Sequence, residues 1–239
     1  MGKSKVLIGL IVLSYILFVV FQFKGDEVVA SSFSSAVFPL IALFYWVTIK
    51  SKNLCFCLFL ISYSLSELLF YAIDFIPYIY FYYIGNTLIM LSYAFLLFEV
   101  CRYVCIKDVL KNFKIHIIVL TGLNIYMAYI LQEAINPYIE MTFEYLLEIT
   151  YNIVMLLLLS ISLLNYLYKD DKKSLFFFFG ALCIVFSEVI NVAYLYVSHQ
   201  SLLNFMSVSL FLIASYFLYK HSKIELFKIE DIEVEVSTL

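Results

Sequence analysis

Charge is scarce in this sequence. Only 14% of its 239 residues are Asp, Glu, Lys or Arg, against roughly 25% in a soluble domain. The hydrophobic fraction is 64% and the mean hydropathy is +0.99. No polar stretch is long enough to fold in water, which excludes a soluble enzyme carried on a single membrane anchor. The same apolar content excludes disorder. The three histidines, His116, His199 and His221, are scattered and cannot form a triad or a metal cluster with one another. No Gly-x-Ser-x-Gly elbow, P-loop or dinucleotide fingerprint occurs. There is no Gly-x-x-x-Gly, and only Pro39 interrupts an apolar run.

What is present is apolar sequence in lengths near the ~20 residues that cross a bilayer. Eight spans are expected: Lys5 to Phe23, Ser32 to Val47, Leu54 to Ile73, Ile79 to Cys101, Ile115 to Leu131, Phe143 to Tyr168, Ser174 to Val197 and Ser201 to Tyr219. The second is the shortest and opens on Ser31, Ser32, Ser34 and Ser35, and Pro39 should kink it by removing a backbone bond. The seventh contains no lysine, which argues against a retinal Schiff base. The fold class is therefore all-α, a polytopic membrane bundle forming one domain over 1–228, with a short acidic cytoplasmic tail over 229–239.

The basic residues orient the bundle. Lys3, Lys5, Lys50, Lys52, Arg102, Lys107, Lys111, Lys114, Lys169, Lys172, Lys173, Lys220, Lys223 and Lys228 all fall on one side of eight spans. The other side has Lys24, with Asp26, Glu27, Asp74, Glu133 and Glu140. The positive-inside rule then puts both termini in the cytoplasm. The first run is longer than a signal-peptide core, and Asp26 and Glu27 precede a poor cleavage site, so it is read as retained. Abundant Phe, Ile, Lys and Tyr point to an A/T-rich, bacterial coding sequence and hence to the inner membrane.

Against this background a few polar residues stand out. An ionisable group at membrane depth costs ~2.5–3.5 kcal/mol on insertion scales and asks for a reason. Glu67 in the third span and Glu188 in the seventh lie at matching depth, each preceded by a serine, in the outer half of the membrane. No Lys or Arg is available there, and desolvation favours the protonated acid, the form a general acid needs. Either carboxyl alone is as readily helix–helix glue. The pair is read as one site, with Tyr63, Ser64, Asn86, Ser92 and Asn191 as its binding residues. Asn124, Glu148 and Asn152 share the same layer. Glu99 and Arg102 form an ordinary i,i+3 pair at the headgroup level. Cys55, Cys57, Cys101 and Cys105 gather at the cytoplasmic ends of adjacent spans, but their spacing is not that of a zinc site. Tyrosines such as Tyr78, Tyr82, Tyr138 and Tyr196 read as an interfacial belt.

The order of motifs resembles the YhhN family of lysoplasmalogenase-like membrane proteins, which also have about eight spans. Pro39–Leu40, Ser66–Glu67, the fourth span led by Gly85, Gly180–Ala181 and Ser187–Glu188 carry the resemblance over nearly the whole chain. The chain departs from the family in having Glu67 and Glu188 where Asp is usual. Phe38 stands in place of a lysine, Ser92 of a histidine and Phe95 of a tyrosine. The resemblance implies hydrolysis of the vinyl-ether bond of a lysoplasmalogen, with Glu67 and Glu188 catalytic, no metal and no other cofactor. It also implies a lysophospholipid substrate drawn from the bilayer and no nucleic-acid partner. Two other readings stay open: a transporter or receptor with an intramembrane acidic site, and an inactive member of the family. The spacing of the third and seventh spans, four apart, hints at a duplicated four-span unit.

Overall fold

The computed structural model describes residues 2–50, 52–102, 109, 111–138 and 142–237, with side chains for 4–50, 52–102, 109, 111–138 and 143–224. Cys105, Lys107 and Glu140 lie outside these residues, as do the side chains of Lys3, Lys228 and the acidic tail. Among the described residues there is no strand. The long helices are α1 (Gly2–Lys24), α2 (Glu27–Thr48), α3 (Leu54–Leu69), α4 (Tyr78–Cys101), α5 (Lys114–Ile135), α6 (Thr142–Lys169), α7 (Lys172–Val192) and α8 (Ser201–Ser237). Eight helices are long and apolar enough to cross a membrane.

The turns follow from a few residues. Gly25 ends α1 at φ +83°, a conformation that costs glycine nothing. Its N–H reaches the Gln22 carbonyl at 3.3 Å and the Asp26 N–H reaches Phe21 at 3.1 Å, the paired bonds of a Schellman cap. Asp26 then accepts from the Val29 N–H and starts α2. The α6–α7 turn does this with two aspartates. Asp170 takes the left-handed conformation, at φ +48°, and Asp171 accepts from the Ser174 N–H at 2.6 Å and its hydroxyl at 2.7 Å. Partial burial pushes the Asp171 carboxyl up. The Ser174 bonds, with Lys169 and Lys173 nearby, outweigh that and hold it below the usual carboxylate range.

Three boundaries differ from expectation. Helix α2 begins at Glu27, five residues before Ser32. Its serines stay helical because the Ser32 hydroxyl donates back to Val28 O at 2.9 Å and Ser34 to Ser31 O at 3.0 Å. The α3 helix stops at Leu69 and tightens into a 3-10 turn over Phe70–Ala72. The α7 helix stops at Val192 and widens into a π turn over Ala193–Val197. Helix α2 runs continuously through Pro39.

The helices form a ring that omits one member. Each of α1 to α3 packs on the next, α4 packs on α6, then α6 on α7, α7 on α8, and α8 returns to α1 and α2. Helix α5 sits outside, chiefly against α6. The core inside the ring is aromatic and aliphatic, built from Phe38, Tyr45, Phe59, Tyr93, Met155, Ile184 and Leu218. The closest approach is at Gly180, where a Cβ would fall 2.8 Å from Leu218 Cδ2.

Side-chain bonds tie the two ends of the ring. At one end Tyr45 meets Ser222 at 3.0 Å, His221 Nδ1 meets the Lys173 carbonyl at 2.9 Å, and Asn53 Nδ2 donates to Glu99. That end carries Lys50, Lys52, Arg102, Lys169, Lys172 and Lys173. At the other, Tyr138 donates to the Tyr196 carbonyl at 3.1 Å and Tyr71 to that of Ser32. The expected charge asymmetry is thus a property of the folded bundle among the described residues.

Candidate functional site

A cavity of about 170 Å³ lies inside the ring, lined from α2, α3, α7 and α8. Both Glu67 and Glu188 line it, so the two acids that the sequence pairs by depth are also paired in space. Each is preceded by a serine bonded to the following helix, and of the two Ser187 also lines the cavity. The Ser66 hydroxyl donates to the Gly85 carbonyl of α4 at 3.1 Å, and the Ser187 hydroxyl donates to the Ser207 carbonyl of α8 at 2.8 Å. In both pairs the serine ties its helix to the next, and the glutamate turns to the cavity. A Cβ at Gly85 would stand 3.7 Å from Ser66 Oγ, an ordinary van der Waals contact that the space between the helices admits.

The carboxyls sit close to the end opposite the lysines. Glu67 is thirteen residues into α3 and Glu188 sixteen into α7, about 20–24 Å along each axis at ~1.5 Å per residue. Both helices change winding just beyond. The Phe70 N–H is shared between the Glu67 and Leu68 carbonyls where α3 tightens, and the π turn follows Val192. Such irregular turns concentrate at functional sites.

The two acids have different partners. Glu188 is buried, and it accepts hydrogen bonds from the hydroxyls of Tyr93 on α4 and Tyr151 on α6. Tyr63 and Tyr151 flank Tyr93, with ring centroids 6.2 Å apart for Tyr63–Tyr93 and 5.9 Å for Tyr93–Tyr151. Glu67 is bonded by the Ser35 hydroxyl. Pro39, four residues later, has no N–H to give the Ser35 carbonyl, so this turn of α2 keeps an acceptor near Glu67.

The wall is aromatic. Phe38, Tyr63 and Phe211 pack with centroids 4.4 to 5.2 Å apart. Phe38 fills the place where the resembled family has lysine, and the described residues lining the cavity include no Lys, Arg or His. Next to it, sharing Ile41 and Leu212, runs an apolar cavity of about 200 Å³ between α1, α2, α3 and α8, lined by residues such as Ile11, Phe44, Leu60 and Tyr216.

Of the five expected binding residues, Tyr63 and Asn191 line the acidic cavity. The other three do not. Ser64 is buried with its hydroxyl unpartnered, Asn86 lies half-buried on α4, and Ser92 donates to Ile89 O of its own helix at 2.6 Å. Elsewhere in the layer, Asn124 donates to Ser160 at 2.8 Å and Tyr82 donates to Glu148. Tyr93, Tyr151 and Ser35 join the site without having been singled out. Tyr93 and Tyr151 lie mid-helix, away from the interfacial belt, and that depth was their signal. Among the described residues no group of three His, Cys, Asp or Glu is placed to hold a metal ion.

No family model, curated protein or solved structure matches this chain.

Proposed function

We propose that the protein hydrolyses an acid-labile ether bond of a single-chain membrane lipid, with a lysoplasmalogen as the substrate, in line with the resemblance to lysoplasmalogenase-like proteins. The observation that carries this reading is the pairing of Glu67 and Glu188 in one cavity, with an apolar cavity beside it that shares Ile41 and Leu212. A polar headgroup region at the acids and an alkyl chain along Ile41 and Leu212 match the two compartments. The acids lie near the lysine-poor end, taken as the outer face, and the apolar cavity extends toward the other. A lysolipid in the outer leaflet has the same polarity.

The different partners divide the roles. Two phenol donors stabilise charge on Glu188, and two adjacent acids do not readily share the charged state. Glu67 then carries the proton. It delivers that proton to the vinyl carbon β to the ether oxygen, and the electron pair of the double bond forms the new C–H bond. The resulting oxocarbenium faces the Glu188 carboxylate. Water adds to the cation and gives its proton to Glu188. The hemiacetal breaks into a fatty aldehyde and the glycerophospho-alcohol.

The test is purified protein in lipid vesicles with lysoplasmalogen, read by mass spectrometry of the released aldehyde. Wild type should release aldehyde, and Glu67→Gln and Glu188→Gln should each lose at least 100-fold in rate, the scale of general acid–base catalysis. Activity that persists in Glu67→Gln overturns the mechanism. A folded wild type without aldehyde release, but with solute uptake dependent on Glu67, favours the transporter reading instead.

A further inference from the structure

A larger cavity lies elsewhere, at the helix that stands outside the ring. It measures about 490 Å³ and lies between α5 and α6. It shares no lining residue with the acidic cavity. Its floor is apolar, from Ala128, Ile149 and Leu156, and its rim is formed by exposed side chains of both helices: Ile125 and Tyr129 on α5, Ile153 and Leu157 on α6. Because α5 is held chiefly by α6, the cleft opens sideways, toward the acyl chains of a surrounding bilayer.

Among the polar residues of the lining, Asn124 is bonded to Ser160 and Glu133 and Asn136 are exposed, which leaves Gln132. Gln132 is only 7% exposed, lines the cleft, and neither its amide nitrogen nor its amide oxygen has a hydrogen-bond partner. A buried amide without partners costs roughly 1–3 kcal/mol by mutational measures. Its complement is a group with both a donor and an acceptor, which a hydroxyl supplies. Gln132 stands eleven residues beyond Thr121, the far end of the lining on α5. That is about 16 Å of helix, close to the ~15 Å half-thickness of a hydrocarbon core. The lining continues past Gln132 to the exposed Glu133 and Asn136, so the unpartnered amide lies just inside the polar end of the cleft.

We infer that the α5–α6 cleft is a binding site for a single-chain, hydroxyl-bearing lipid, whose alkyl chain lies along Ala128, Ile149 and Leu156 and whose hydroxyl bonds Gln132. This site is independent of the proposed reaction. A lipid seated there fills the gap between α6 and the helix that the ring leaves outside.

The experiment uses the full chain in nanodiscs and a monoacylglycerol carrying a diazirine in its chain. A fatty-acid methyl ester with the same diazirine, lacking hydroxyls, is the control. Light should attach the monoacylglycerol to peptides covering 121–136 and 145–157. Gln132→Leu, similar in volume but unable to hydrogen-bond, should weaken that labelling about tenfold, equal to ~1.4 kcal/mol. Ile153→Trp, at the exposed rim, should block the cleft without touching the core. Glu67→Gln should label as wild type does, so failure here is separable from failure of the proposed catalysis. The inference is overturned by labelling spread evenly over all helices, by equal labelling with the methyl ester, or by indifference to both cleft variants. Cross-links joining α5 of two copies across the cleft also overturn it, because a second chain is then the occupant.

Discussion

Replacing Gly180 by alanine should loosen the bundle at its tightest seam and disturb the acidic cavity from a distance. The added methyl would stand 2.8 Å from Leu218 Cδ2, 2.9 Å from Leu218 Cγ and 3.5 Å from the Ala214 carbonyl. Leu218 is 1% exposed and Ala214 equally buried, so the leucine has no vacant space to swing into. Relief requires α7 and α8 to separate by about half an ångström, and overpacking of this kind costs ~1–3 kcal/mol. The strain is transmitted because Ser187, two turns along α7, holds the Ser207 carbonyl of α8 at 2.8 Å, beside Glu188. The assay is thermal unfolding in detergent of wild type, Gly180→Ala, Leu218→Ala and the double variant. Leu218→Ala alone should cost ~2–5 kcal/mol by leaving a cavity. In the double variant the alanine methyl occupies part of that cavity, so the two costs should fall short of their sum by about 0.5–3 kcal/mol. Strict additivity, or a Gly180→Ala protein as stable as wild type, would refute the packing argument.

Three further outcomes are expected. Tyr93→Phe keeps the ring in the aromatic core and removes the hydroxyl bonded to Glu188, so it should lower stability by ~1.5–3 kcal/mol and slow any aldehyde release more than it weakens substrate binding. Separate kcat and KM values check this, and an unchanged kcat counts against a role for the phenol. Asp171→Ala should cost about 1 kcal/mol near neutral pH through loss of the α7 cap. The Asp171 carboxyl is depressed in the folded protein, so its contribution is complete above the unfolded value of ~3.9 and vanishes as pH falls through the lower folded value; melting curves of wild type and variant should converge at low pH. In a cysteine-free background, an impermeant maleimide added to intact cells should label Asp74→Cys and leave Lys52→Cys unlabelled, and the reverse pattern overturns the assignment of the lysine-rich end to the cytoplasm.

Much of the architecture was legible because lipid makes hydrophobicity periodic on the scale of whole helices. Each apolar run between charges became one helix, and the lysines collected at one end. The boundaries that moved did so for local reasons that composition hides. Serines are read as breakers in water, yet those of α2 hand their hydroxyls to their own backbone and continue the helix into an apolar setting. The unpaired position of α5 was not legible, because its residues are as apolar as those of its neighbours. Depth alone found Glu67 and Glu188, since a charge in lipid is conspicuous. Tyr93 and Tyr151 were hidden by abundance: with 21 tyrosines in the chain, identity distinguishes none of them, and only the distance from either helix end separates these two from the belt.

The serines beside the two acids carry the argument a step further. Ser66 and Gly85 are nineteen residues apart, Ser187 and Ser207 twenty, and each pair joins a helix to its successor through a serine hydroxyl and a backbone carbonyl. The same local device therefore presents both glutamates, which fits two related four-helix units as the hint from span spacing suggests. What differs between the units is the surroundings of each acid. In the second unit Glu188 meets the phenols of α4 and α6. In the first, Glu67 meets α2 at Ser35, one turn before the proline that leaves the Ser35 carbonyl without its usual donor. Two acids made equivalent by their serines are thus made unequal by what faces them, and that inequality is what proton transfer between an acid and a base requires. Phe38 sharpens it. A lysine there would bring a cation to the cavity and favour the charged form of both acids, whereas a buried ring leaves Glu188 to its phenols and Glu67 to a single hydroxyl. Phe38→Lys, which restores the residue usual in the resembled family, should therefore move the pH profile of aldehyde release, and an unchanged profile counts against a role for Phe38 in setting the two acids apart.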